Sequence, residues 1–245
     1  EEDTPFLFIL TNTRALGAVD AGRILREVIR NLQSVCRELW DGDLLSECIL
    51  VSRSDSTLRG HFPLEPNIIE EEMGKVDGRF FVPAFIPGGR ITRDGWHYVR
   101  MEAGAEVPAG ETEFAQDSVF GYRNSFLPAY IEEKSDGAIS ADSIAILKPC
   151  KLKPEPEWWH AFRKDAYIVC DMETVEDIRQ LGALLRAGIA GGGRFLFRSG
   201  ASLLNALVPH DPKPYDSLKI GNAYTGRQPG IVLAGSYVGK TARQI

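Results

Sequence analysis

The stretch CILVSRSDSTLRGHF, residues 48–62, decides how the rest of the chain is to be read. Its first part, Cys48 to Arg53, is a short apolar run of strand length. It runs directly into Arg53, Asp55, Ser56, Thr57, Arg59 and Gly60, a dense polar cluster. In an open α/β sheet the carboxyl ends of parallel strands are where ligands bind. A strand that ends in such a cluster therefore predicts both a fold class and the edge of the sheet that matters.

Working outward, FLFILT (Phe6 to Thr11) is nearly continuous in apolar residues and predicts a strand covered on both faces. From Asp20 to Leu39 the residues Ile24, Leu25, Val28, Ile29, Leu32, Val35, Cys36 and Leu39 recur at the helical period, which predicts a helix packing one stripe on a sheet. The alternation continues with a helix around Leu64 to Met73, strands at RFFVPAF and AYIVCD, a helix from Val175 to Ala187, and a strand at RFLFR. Strands alternating with helices imply parallel βαβ units. The expected fold is a three-layer α/β/α arrangement with a mostly parallel, doubly wound sheet. Two segments break the pattern. Ile86 to Gly121, rich in Gly, Pro and Glu, predicts a hairpin or a long functional loop. Pro209 to Pro229 carries four prolines and predicts an interdomain linker, after which GIVLAGS would open another α/β domain. The expected organisation is thus a first domain over 1–208, a linker over 209–229 and the start of a second domain over 230–245.

At 245 residues and 44% hydrophobic content the chain can bury a substantial core. Its net charge of -6 comes from interspersed acids, which argues against nucleic-acid or membrane-surface binding through bulk electrostatics. No apolar run approaches a membrane span and no signal peptide is evident. Cys36, Cys48, Cys150 and Cys170 are widely spaced, without metal-ligand spacing, and are expected to be reduced core residues in a cytoplasmic protein. No metal site is expected among them.

The chemistry of residues 51–62 leaves two readings open. Arg53 and Arg59 suit a carboxylate or phosphate, because guanidinium forks match such anions with paired hydrogen bonds. Asp55, Ser56 and Thr57 suit sugar hydroxyls, and Asp55 could assist deprotonation of an attacking alcohol. Alternatively, the stretch is a solvated turn in which Asp55 and Ser56 cap the next helix and the arginines pair with surface acids. Thr11 to Arg14 ends the preceding predicted strand, so Asn12 and Arg14 should lie on the same sheet edge and complete an anion and hydroxyl pocket, unless they serve only as a helix cap. FRSGAS (Phe197 to Ser202) ends a strand with an arginine and opens a helix whose amides could hold an anion, and capping explains its serines equally well. His97, beside Trp96 and Tyr98, is expected as a stacked surface residue, and His61 as a residue lining the pocket. In VLAGSYVGKTARQI (Val232 to Ile245), Ala234 stands where a P-loop needs its first glycine, which argues against a P-loop.

With these clusters in view, the sequence resembles the four-carbon acid sugar kinase family, long known as a domain of unknown function. The matching stretches are FILTNTRAL, VSRSDSTLRGHFPLE, FFVPAFIPGGRIT, GWHYV, VPAGETEFAQDSVFGYRNSFL, RFLFRSGAS and VLAGSYVGKTARQ, in that order along nearly the whole chain. The resemblance implies an N-terminal domain for a 3-oxo-tetronate, threonate or erythronate and a C-terminal domain for ATP with Mg2+, which phosphorylates the 4-hydroxyl. It places Arg14 and Asp55-Ser56-Thr57 at the sugar acid with Arg53 and Arg59 adjacent, and Ser236 at the first nucleotide contact. A homodimer is compatible with it. Two features of the family fall outside the match: an Asp-rich loop after an initial strand, and nearly all of the ATP domain. The chain alone is therefore expected to be inactive, as the substrate-binding part of the kinase. The alternative is a stand-alone sugar-acid binding or regulatory module.

Overall fold

The computed structural model describes residues 7–40, 48–102, 104–162 and 167–207. The expected linker, the second-domain strand and Ser236 lie outside these residues. Five parallel strands form the main sheet: β1 (Val51–Arg53), β2 (Gly78–Val82), β6 (Ala145–Leu147), β7 (Tyr167–Cys170) and β8 (Phe195–Ser199), in the spatial order β1-β8-β2-β7-β6. Alternate side chains on these strands leave the sheet on opposite faces. On one face Phe80, Val82, Ile168, Cys170 and Phe197 pack under α4 (Val175–Ala190) and α5 (Ser202–Leu207). Phe80 stacks on Phe197 with centroids 5.6 Å apart and meets Phe195 edge-on at 5.3 Å. On the other face Phe81, Tyr167 and Val169 pack against α3 (Leu127–Lys134). Leu196 packs there beneath α1 (Ala18–Trp40) and α2 (Leu64–Met73). The three-layer α/β arrangement and the parallel sheet thus agree with the sequence reading.

Local chemistry explains the element ends. Thr174 and Asp177 form a reciprocal capping box at the start of α4: Asp177 N donates to Thr174 Oγ1 at 3.2 Å, and Thr174 N donates to Asp177 Oδ2 at 2.8 Å. Such a cap stabilises a helix by about 1 kcal/mol. Gly182 lets α4 approach α5, since a Cβ there would lie 2.5 Å from the Ala206 carbonyl oxygen.

The segment expected as a hairpin or loop is a second, antiparallel sheet of β3 (Arg90–Arg93), β4 (Trp96–Arg100) and β5 (Glu106–Pro108). Its tight turn is Asp94-Gly95, both at positive φ (50° and 76°), the geometry that matches the twist of two-residue hairpins. Thr92 N and Met172 N exchange hydrogen bonds with each other's carbonyls at 2.9 and 2.8 Å, so the small sheet is tied to the chain leaving β7.

Several expectations are corrected. Leu7 to Leu10 of FLFILT belong to no strand and are exposed, Leu7 by 78% and Leu10 by 91%. Apolar composition gives a run only a preference for strand, and the surrounding structure overrides it here. Phe6 lies outside the described residues. Of CILVSR only Val51–Arg53 is a strand. The stripe on α1 packs mainly on α2, through Leu25 and Ile29 against Ile68 and Ile69, while Val35 and Leu39 are exposed. The helix predicted to end at Ala187 runs to Ala190. Cys36 and Cys170 are buried as expected, whereas Cys150 is exposed, because Pro149–Lys151 is a 3-10 turn at the surface.

Candidate functional site

The polar cluster lies beyond the carboxyl end of β1, the edge expected from the parallel sheet. Ser54 N donates to Ser199 O of β8 at 2.8 Å, so the chain stays on the sheet for one more residue before turning. Leu58 and Gly60 then take positive φ, 68° and 136°, and the loop curls back. A Cβ on Gly60 would come within 3.0 Å of the Arg198 guanidinium, so glycine answers both backbone and space. Two tyrosines hold the loop from beneath. Tyr122 donates to Thr57 O at 2.9 Å, and Tyr130 donates to Leu58 O at 2.7 Å.

Asp55 is the centre of the arrangement. Its Oδ2 accepts from the Thr57 hydroxyl and from Arg59 Nε, the latter at 2.8 Å. Its Oδ1 faces the Arg14 guanidinium at 3.7 Å. Burial pushes the Asp55 carboxyl up, but the Thr57 hydroxyl, Arg59 and Arg14 together outweigh it and hold it below its usual value. Asp55 is therefore an anion with Oδ2 committed to Thr57 and Arg59 and Oδ1 facing Arg14. Partial burial lowers Arg90 below its ordinary value, with Asp55 opposing the shift.

The sequence-derived candidates divide into two groups. Asp55, Thr57 and Arg59 are brought together, and Arg14 reaches them. Thr57 and Arg59 are buried and serve Asp55, since Arg59 Nε also contacts Thr57 Oγ1 at 3.1 Å and its Nη1 lies 3.8 Å from Asp117. Ser56 contributes its carbonyl, which accepts from His97 Nε2 at 2.8 Å. Arg53 is exposed and donates to the Ser54 carbonyl. Asn12 is exposed in a left-handed conformation and makes no side-chain cap, so the cap reading of Asn12 is not met. The capping half of the solvated-turn reading is corrected, because α2 begins at Leu64 after Pro63 and neither Asp55 nor Ser56 caps it, while its other half holds in that Arg59 pairs with Asp55 and Asp117.

Other residues were not legible as site neighbours. His97 is fully buried, not a surface residue: besides its bond to Ser56 O, its Nδ1 accepts from Thr92 Oγ1 at 3.1 Å. Burial pushes it down to about 4, so it is neutral at pH 7 and pins the small sheet to the Asp55 loop. His61 supports the backbone, placing Nε2 3.0 Å from both Thr13 O and Leu16 O. Arg198 of FRSGAS is paired with the buried Glu65 and donates to Ser52 Oγ at 2.8 Å, and Glu65 also accepts from Thr13 Oγ1 at 2.6 Å. This network positions the Thr13–Ala15 turn that carries Arg14. Ser202 Oγ accepts from Ile86 N at 3.0 Å and does not cap its helix. Arg90, at the start of β3, lies over the Phe114 ring at 5.7 Å, as Arg59 does at 5.1 Å.

A depression of about 420 Å3 lies elsewhere, lined by Asp94, Ile146, Lys148, Lys151, Leu152 and Phe162. Its walls are largely apolar, and its Lys148 is paired with Asp94. The convergence of charged groups is at Asp55, and that chemistry, not the depression, marks the candidate site. Among the described residues no group of three or more His, Cys, Asp or Glu is placed to hold a metal ion, and no helix is long and apolar enough to cross a membrane.

Comparison with known proteins places this geometry in context. No curated protein matches the chain in sequence. A domain of unknown function (DUF1537) from Bordetella bronchiseptica, a domain-swapped dimer with bound citrate, is 24% identical over 81% of this chain and 44% of its own, with a TM-score of 0.59. A second crystal form of it gives 0.58. A DUF1537 protein from Haemophilus influenzae is 13% identical over 79% of this chain and 43% of its own, with a TM-score of 0.54. The chain spans less than half the length of these structures, and at such identities the likeness is one of fold. The family model of the sugar-binding N-terminal domain matches residues 1–207, most of the chain, and the chain belongs to that family.

Proposed function

We propose that this chain is the substrate-binding part of an ATP-dependent kinase that phosphorylates the 4-hydroxyl of a four-carbon sugar acid such as 3-oxo-tetronate, threonate or erythronate. The observation that carries the reading is Asp55, ionised and half-committed, facing Arg14 at 3.7 Å at the carboxyl edge of a parallel sheet. A sugar acid needs a carboxylate site and a hydroxyl acceptor side by side. Here the arginines supply the first and Asp55 Oδ1 the second. The citrate bound by the Bordetella protein, a small hydroxylated carboxylate, supports this ligand class.

In this reading Asp55 Oδ1 accepts the hydrogen of the substrate hydroxyl, aligning its oxygen and taking up its proton as the bond to phosphorus forms. Thr57 and Arg59 keep the carboxylate oriented and charged. ATP supplies the phosphoryl group, and transfer is mainly a matter of positioning and charge neutralisation. Mg2+ would ride on the nucleotide phosphates. Ser236, which resemblance assigns to the nucleotide, is outside the described residues. The domain-swapped dimers of the Bordetella protein support a homodimer as well.

The test is a screen of the full-length gene product for ATP consumption across the tetronate isomers and 3-oxo-tetronate. ATP turnover confined to one or a few four-carbon acids is the expected result. Tight binding of those acids without any turnover would favour the binding or regulatory module, and neither binding nor turnover would reject both.

A further inference from the structure

The arginines around the site differ in one respect. Arg59 has Asp55 and Asp117, Arg198 has Glu65 and Ser52, Arg14 faces Asp55, and the exposed Arg53 donates to the Ser54 carbonyl. Arg90 has no carboxylate within ion-pair distance among the described residues. Its Nη1 donates to the Gly88 carbonyl, and its Nε is buried with no hydrogen-bond partner. A buried cationic N–H without an acceptor is costly, so one that persists beside a candidate crevice calls for a partner from outside the protein.

From this geometry we infer that Arg90 seats the ligand's carboxylate. The inference rests on the reading of the Asp55 crevice as a sugar-acid site and specifies how the acid lies in it. Arg90 stands beside Arg59 over Phe114, and Asp55 is the acid that acts on its charge. Its position is rigid, because β3 pairs with β4, and Thr92 and His97 pin that pair to the Asp55 loop. A planar guanidinium fork suits a carboxylate, whereas the remaining oxygen of Asp55 suits a hydroxyl. The site therefore takes a hydroxy acid with its carboxylate end toward β3 and its hydroxyls toward Asp55. Specificity for an acid over the corresponding polyol comes from Arg90.

The experiment compares the wild-type chain, Arg90→Gln and Asp55→Asn by calorimetric titration with threonate, erythronate and 3-oxo-tetronate, together with thermal unfolding of each unliganded protein. For the acid that wild type binds best, Arg90→Gln weakens affinity about tenfold or more, the loss of a charge-assisted hydrogen-bonded pair. Its unliganded unfolding midpoint stays equal or rises, because the orphaned cation is gone. A smaller loss of affinity, or a lowered midpoint that marks Arg90 as a residue holding the fold, overturns the inference. Retained acid binding in Arg90→Gln together with loss in Asp55→Asn overturns Arg90 alone. No binding of any of the three acids by wild type overturns the sugar-acid reading and the inference with it.

Discussion

Asp55 and Asp171 both stand at the carboxyl edge of the same parallel sheet, one beyond β1 and the other beyond β7, and the structure uses them in opposite ways. Asp171 accepts from Asp94 N and Gly95 N, both at 2.9 Å, one bond on each carboxylate oxygen, and Lys148 lies 3.7 Å away. It anchors the hairpin turn, and burial raises its pKa against the pull of the two amides and Lys148. Asp55 has the reverse balance, with burial outweighed and Oδ1 facing Arg14. A carboxylate at the ligand edge of a sheet is thus not a site by position. It becomes one when its hydrogen-bonding capacity is only half consumed inside the protein and cations are arranged to keep it charged.

The sharpest way to break this comparison is to exchange the roles by mutation. Asp55→Asn in the full-length gene product is expected to lower kcat/KM about 10^3-fold, within the range for loss of a general base, and to lower the unfolding midpoint, because the buried Arg59 loses its nearest anion. Undiminished turnover would remove Asp55 from the site. A second effect lies in the contact that joins the two regions. His97 is pushed down to about 4 from an ordinary 6.5, so the unfolded chain takes up a proton that the folded one refuses. Its contribution is fully present above pH 6.5 and is lost as pH falls toward 4, by about 3 kcal/mol. Raised Asp171 works in the opposite sense, so the measurement is a difference: denaturant unfolding of wild type and His97→Gln across that window, where the variant should lose most of the slope.

Asp171→Ala leaves the Asp94 and Gly95 amides without their acceptor and should cost about 2 kcal/mol of stability by denaturant unfolding. Threonate affinity, titrated in parallel, should stay near the wild-type value. A large loss of affinity would show that the two carboxylates are not separable. The smallest effect is expected at Tyr122→Phe, which removes the hydroxyl donated to Thr57 O. About 1 kcal/mol of stability and a few-fold loss of affinity should follow, since one supporting bond of the loop is lost.

Much of the fold was legible because its causes are local. The apolar runs RFFVP, YIVC and FLFR and the stripe on Val175–Ala190 carry their period in the residues themselves, and parallel βαβ units follow from their alternation. Asp94-Gly95 is an equally local signal, and it decides between the hairpin and the loop that the composition of the segment left open. The strand expected at Leu7 to Leu10 failed for the complementary reason. Apolar composition states a preference, and tertiary context overrides it.

The site divides along the same line. The residues of SDSTLRG determined by themselves that a carboxylate, hydroxyls and arginines would meet at a strand end, because they are neighbours in the chain and Gly60 permits the turn. Which of them remain open to a ligand was decided only by tertiary contacts. Arg14 arrives from before α1, Arg90 and Phe114 from the second sheet and the chain that follows it, and His97 and Tyr122 hold the loop from residues 41 and 65 positions away. Hydrogen-bond capacity is spent pair by pair in three dimensions, so the sequence names the groups and the packing decides which are left over.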